Sequence, residues 1–85
     1  MTNSVVVEGI IHDVRGAGRY TELEIANVGK TTQYFPVYTR ERLGKENISK
    51  RVRVSGVLET ISCMWRGVES KKVVVIADFL KEIGR

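Results

Sequence analysis

Residues 50–61 read Lys50-Arg-Val-Arg-Val-Ser-Gly-Val-Leu-Glu-Thr-Ile61. Val52, Val54, Gly56 and Leu58 fall on one side of an extended chain, and Arg51, Arg53, Ser55 and Val57 fall on the other. Alternation of this kind marks a strand with one buried and one wet face. Lys50, Arg51 and Arg53 make the wet face basic. Gly56 sits in the middle, where it weakens a flat strand but allows a bend or a bulge.

Downstream, Ser62 to Lys71 reads as a loop. A last strand follows from Lys72 to about Leu80. Val73, Val75, Ala77 and Phe79 share one side of it, and Val74 and Ile76 the other, so both faces are largely apolar and both are expected to be covered. Upstream, Ser4 to Val14 is long for a strand and carries Gly9 in its middle, again a place for a bend. Arg15-Gly-Ala-Gly-Arg19 is a basic turn. Tyr20 to Val28 alternates, with Leu23 and Ile25 opposite Glu22 and Glu24. Gly29 to Thr32 turns the chain again. Gln33 to Thr39 is a third strand, with Phe35 and Val37 facing away from Tyr34, Pro36 and Tyr38. Pro36 lacks a ladder donor, which places it at an edge or a bulge. Between this strand and the basic one, Arg40 to Ile48 has few β-branched residues. Thr39 is positioned to cap a short helix there. Gly44 limits the helix to a turn or two, and Leu43 and Ile48 are its apolar anchors.

The order is three strands, a short helix and two strands. It predicts an all-β fold: a five-stranded, partly open Greek-key barrel of the OB type with a short helix between strands 3 and 4. The glycines in the first and fourth strands supply the closure bends. An SH3-like barrel is the competing architecture, and it has no need of the helical insert.

Eighty-five residues fit one domain, 1–85, with a single modest core. No apolar run reaches the length of a membrane span, and the first residues lack the features of a secretory leader. The lone cysteine, Cys63, forms neither an internal disulfide nor a cysteine-based metal site, so a reducing cytoplasm is the default. Net charge is +4. Residues 1–42 hold five Lys/Arg and five Asp/Glu, while residues 43–85 hold nine against five. The excess lies in the half that contains the basic strand. It is either a solvated surface or a phosphate-facing patch.

Four segments carry a resemblance. They are Val5-Val-Val-Glu-Gly-Ile-Ile11, Phe35-Pro-Val-Tyr-Thr39, Ile48-Ser-Lys-Arg-Val-Arg-Val-Ser-Gly-Val-Leu58 and Lys72-Val-Val-Val-Ile-Ala-Asp-Phe-Leu80. Together they resemble bacterial single-stranded DNA-binding proteins and primosomal replication protein n. The resemblance implies single-stranded DNA binding by a homo-oligomer, a dimer in the primosomal case, in replication, repair or plasmid maintenance. Two departures accompany it: the acidic tail of the longer relatives does not follow Gly84-Arg85, and Glu22 and Glu24 put negative charge on the second strand.

Single strands are held by a basic groove and by aromatic faces on which bases stack. Trp65, Tyr34 and Tyr38 are the aromatic candidates. Trp65 and Arg66 lie between strands 4 and 5, beside the groove of an OB barrel; the alternative role for Trp65 is a hydrophobic cluster with Met64 and Val68. The tyrosines serve either as stacking faces or as an interface. Lys50, Arg51, Arg53, Arg66, Lys71 and Lys72 are the phosphate candidates, with Arg15 and Arg19 as outliers.

Other apparent motifs fail. Gly29-Lys-Thr31 ends like a phosphate-binding loop, but position 24 is Glu and a strand follows. His12 and Cys63 lack an orienting partner for catalysis. His12 reads as a surface strand residue and Cys63 as a small half-buried hydrophobe. No acid–base or metal constellation points to an enzyme, and no cofactor is implied. The alternatives to DNA binding are an adapter subunit docking on replication proteins and an RNA- or tRNA-binding domain.

Overall fold

The computed structural model describes residues 4–29 and 31–84, and only the backbone of Val28 and Trp65. Lys30, in the phosphate-loop-like triplet, lies outside these residues, as do residues 1–3 and Arg85. Five strands are formed: β1 (Ser4–Ala17), β2 (Tyr20–Val28), β3 (Thr32–Thr39), β4 (Arg51–Trp65) and β5 (Val68–Glu82). They close into a barrel in the order β1-β2-β3-β5-β4. All pairings are antiparallel except β3 with β5, which is parallel and engages only Val37 and Tyr38 with Val75 and Ile76. Pro36 therefore sits just before that ladder, where its missing donor removes none of the parallel pairs.

The inward residues of every strand fill the barrel. Ile11, Val14, Leu23, Ile25, Val37, Val52, Val54 and Val75 form the buried cluster, and Leu43 and Ile48 pack against it from the connecting segment. β-Branched residues dominate because their stiff side chains suit a pleated, half-buried surface.

Gly9 and Gly56 make closure possible by letting backbones approach. β1 pairs with β4 through Ser4–Ile10 and with β2 from Ile10 onward, so it changes partner beside Gly9. A Cβ on Gly9 would lie 2.4 Å from the Ala26 carbonyl oxygen, and one on Gly56 would lie 2.1 Å from that of Ile76. Neither is a real non-bonded separation.

Three expectations are corrected. The helix is a single 3-10 turn, Lys45–Asn47, whose N-cap residue is Gly44 rather than Thr39. Thr39 is buried and its Oγ1 accepts a hydrogen bond from the Glu41 N–H at 3.2 Å, which turns the chain without starting a helix. Ser62 to Lys71 is not a loop: Ser62–Trp65 and Val68–Lys71 pair as strands around a two-residue turn at Arg66 and Gly67. Both turn residues have positive φ, 53° and 78°, the pattern of a type I′ hairpin turn. Finally, Phe79 does not share a side with Val75. Ser55 pairs with Phe79 and Gly56 with Ala77, leaving Asp78 as an extra residue. This bulge reverses the alternation, so Leu80 packs on the core and Phe79 is 60% exposed.

Beyond Val57 on β4 and before Val75 on β5, the two strands ladder only with each other among the described residues. At about 3.4 Å per residue, this arm extends roughly 25 Å past the last neighbouring ladder. Leu58, Met64, Val68 and Val73 are exposed along it.

Candidate nucleic-acid interface

The outer side of β2 and β3 is built by parity. Tyr20, Glu22 and Glu24 alternate with buried Thr21, Leu23 and Ile25. Across the ladder, Tyr34 opposes Ala26, Pro36 opposes Glu24 and Tyr38 opposes Glu22. Both predicted tyrosines therefore stand on the same outer face. Tyr34 is 51% exposed and its ring centroid lies 5.1 Å from that of His12 on β1. Tyr38 meets Tyr20 edge-on, with centroids 6.1 Å apart and planes at 65°.

Cations frame these rings. The Lys72 Nζ lies 5.9 Å from the Tyr38 centroid, and the Arg40 guanidinium lies 6.0 Å from that of Tyr20. The order Arg40, Tyr20, Tyr38, Lys72 thus sets two adjoining rings between two cations at one end of the sheet. Tyr20, His12 and Arg40 are not among the binding candidates that the sequence offers. Tyr20 shares its parity with Glu22 and Glu24, Arg40 continues that of Tyr34 and Tyr38, and His12 is the exposed neighbour of buried Ile11.

Glu22 and Glu24 do lie on this face, but each has a basic neighbour. The Glu22 Oε2 lies 3.4 Å from the Lys72 Nζ, and the Glu24 Oε1 lies 3.7 Å from the His12 Nε2. Lys72 therefore offsets the Glu22 charge on this face and is partly committed to it.

The remaining candidates divide between two places. Arg66 forms the tip turn of the arm, next to the last β4 residue, Trp65, whose side chain lies outside the described residues. Lys71 and Lys72 occupy the β5 side of the arm, opposite Ser62 and Ile61. Arg19 lies in the two-residue turn between β1 and β2, after Gly18 with φ 65°. Across the barrel, Arg51 and Arg53 point out from β4. Arg53 pairs with Glu8, while Lys50 lies 3.8 Å from Glu82. Arg15 lies 3.5 Å from Asp13, as does Lys45. The barrel thus separates Lys50, Arg51 and Arg53 from the tyrosine face.

Asp13 is held below the ordinary carboxylate range, chiefly by the Val14 N–H donating to its Oδ1 at 2.9 Å; desolvation opposes this, and Lys45 and then Arg15 lower it further. Its charged form is favoured in the fold, so this contribution is present at neutral pH and fades as pH falls through the carboxylate range. Among the described residues, no group of three or more His, Cys, Asp and Glu is placed to hold a metal ion, and no helix is long and apolar enough to cross a membrane.

No protein-family model and no curated protein sequence matches the chain. Solved structures do. Mitochondrial single-stranded DNA-binding protein Rim1 of Saccharomyces cerevisiae superposes with a TM-score of 0.70 at 11% identity, covering 99% of this chain and 97% of that one. The single-stranded DNA-binding protein of Plasmodium falciparum, solved in complex with single-stranded DNA, gives 0.71 at 13% identity, covering 98% and 96%. The closed five-stranded barrel, with its turn between β3 and β4, is thus an OB fold of the form seen in single-stranded DNA-binding proteins.

Proposed function

We propose that this chain binds single-stranded nucleic acid, DNA in the first place, on the outer face of β2 and β3, and that it does so without catalysis. The observation that carries the reading is the Arg40–Tyr20–Tyr38–Lys72 series. In OB folds, this face and the loops joining strands 1–2 and 4–5 are where oligonucleotides bind. Bases stack on Tyr34 and Tyr38. The arm lays Lys71, Lys72, Arg66 and Trp65 along the strand's path, and Arg19 meets it at the other end. Stacking tolerates any base, so little sequence preference is expected. Lys50, Arg51, Arg53 and Arg15 add to the positive field rather than to direct contacts. The structural relatives, both single-stranded DNA-binding proteins, support this reading. A role in replication, repair or plasmid maintenance, including work at a primosome, is the biological setting it fits.

A homodimer belongs to the same proposal. Val6, Ser55 and Phe79 form one row across β1, β4 and β5, and Val6 is 64% exposed. A two-fold-related copy sets the exposed Val6 and Phe79 of one protomer against those of the other. The free thiol of Cys63 suits a reducing compartment, the cytoplasm.

Titration of labelled oligo-dT, oligo-rU and duplex DNA at two salt concentrations tests the reading. Tightest binding to oligo-dT, weakening steeply with salt, is expected. Binding to none of them at low salt would replace it with a protein-docking adapter, for which the exposed Met64, Val68 and Val73 of the arm are the favouring observation. Preference for oligo-rU would replace DNA by RNA.

A further inference from the structure

The turn between β1 and β2 and the segment after β3 enclose a cleft of about 310 Å³, lined by Gly16, Gly18, Arg19, Tyr20, Thr21, Arg42, Leu43 and Gly44. Among the described residues, Arg19 and Arg42 are its charged lining residues. Neither makes an ion pair among the described residues, whereas Arg15, Lys45, Lys50, Arg53 and Lys72 each meet a carboxylate. Arg40, Arg51, Lys71 and Lys81 also lack an ion pair among the described residues, but only Arg19 and Arg42 line one cleft together. Glu46 stands beside the wall at Gly44. Its carboxylate lies against Gly44, and its Oε2 lies 3.5 Å from the Asn47 Nδ2, so it backs the wall without lining the cleft.

Two further features favour an anion of phosphate type. A Cβ on Gly16 or Gly18 would meet nothing within 4 Å, so the turn backbone is open to close approach by a ligand. Tyr20 lines the cleft and also stands edge-on to Tyr38, so the cleft is continuous with the aromatic face. Guanidinium forks match the oxygens of phosphate and can bind two at once.

We propose that this cleft is a phosphate subsite, in which Arg19 and Arg42 clamp a backbone phosphate of the strand that crosses Tyr38 and Tyr20. The inference rests on the single-strand reading above. It adds Arg42 and assigns the pair one task. Arg42 falls in the half of the chain with no net charge, so charge distribution along the sequence does not reveal it.

The test compares the wild-type protein, Arg42→Ala, the Arg19→Ala/Arg42→Ala double variant and Lys81→Ala. Lys81→Ala removes the same single charge as Arg42→Ala from the β1–β4–β5 side of the barrel. Each is titrated with labelled oligo-dT over a series of salt concentrations, after thermal melts confirm folding. Loss of one clamped phosphate makes the slope of log K against log salt shallower by about 0.7. The double variant is expected to show that change with a loss of affinity of roughly tenfold at low salt. Arg42→Ala is expected to fall between it and wild type, and Lys81→Ala to match wild type. Equal slope changes in Arg42→Ala and Lys81→Ala, or no change in the double variant, would overturn the subsite while leaving the single-strand reading in place. Failure of the wild-type protein to bind oligo-dT would instead overturn the reading on which the subsite rests.

Discussion

Gly56→Ala lowers the midpoint of thermal unfolding by roughly 10–20 °C. The added Cβ would lie 2.1 Å from the Ile76 carbonyl oxygen, 2.9 Å from the Ile76 carbonyl carbon and 3.0 Å from the Ala77 Cα. All three are backbone atoms of β5, so no rotamer change relieves the clash. The β4–β5 ladder must shift at the bulge where Asp78 already loosens it. Overpacking of this kind costs about 1–3 kcal/mol, and a rigid backbone neighbour puts the cost in the upper part of that range. For a domain of this size, each kcal/mol moves the midpoint by about 4–8 °C. Gly16→Ala is the contrast, because no neighbour lies within 4 Å of its added Cβ and its φ is not positive. There, the smaller entropy of the unfolded chain raises stability by about 0.4–1 kcal/mol. Circular dichroism melts of the two variants check both signs. A Gly56→Ala protein as stable as wild type would mean that closure does not depend on this contact.

Tyr38→Ala lowers affinity for oligo-dT by roughly 5- to 150-fold, the range set by about 1–3 kcal/mol per stacked base. Tyr38 is the residue on which the Tyr20 edge and the Lys72 ammonium converge. Removing its ring therefore removes a stacking surface and also the support that fixes the Lys72 position. Tyr38→Phe keeps the face and is expected to bind within a few-fold of wild type, since stacking does not use the hydroxyl. If the two variants bound oligo-dT equally well, or both as well as wild type, Tyr38 would be a packing residue. A fluorescence titration with melts run alongside separates lost stacking from lost folding.

Much of this architecture was legible in residues whose alternation admits one reading. Leu23 against Glu22, Phe35 against Tyr34 and Val54 against Arg53 each placed one side chain inward and its neighbour out, and the structure keeps all three assignments. Gly9 and Gly56 marked the closure points by residue type. Their physical role is the approach of neighbouring backbones more than backbone freedom, which a single sequence does not distinguish. The arm was not legible. Among the described residues, Ser62-Cys-Met64 and Val68-Glu-Ser-Lys71 have no buried side chain and carry no alternation of apolar and polar residues, and Arg66-Gly67 is an uncommon turn pair. Phe79 was misplaced because a bulge reverses parity without changing composition. The site was half legible. Tyr34 and Tyr38 came from parity alone, but the pairing of Glu22 with Lys72 joins β2 to a strand far along the chain. No local pattern reports such a contact. The cleft with Arg42 depends in the same way on how the segment after β3 folds back beside the β1–β2 turn.

The central claim is that the β2–β3 face, and not the β1–β4–β5 face, carries the ligand. Amide chemical-shift mapping during titration with oligo-dT tests it most directly. The account predicts perturbations at Tyr20, Glu22, Tyr34, Tyr38, Lys72 and Arg66, fading as salt is raised. Shifts confined to Val6, Arg53, Ser55 and Phe79, or no shifts at low salt, would contradict it.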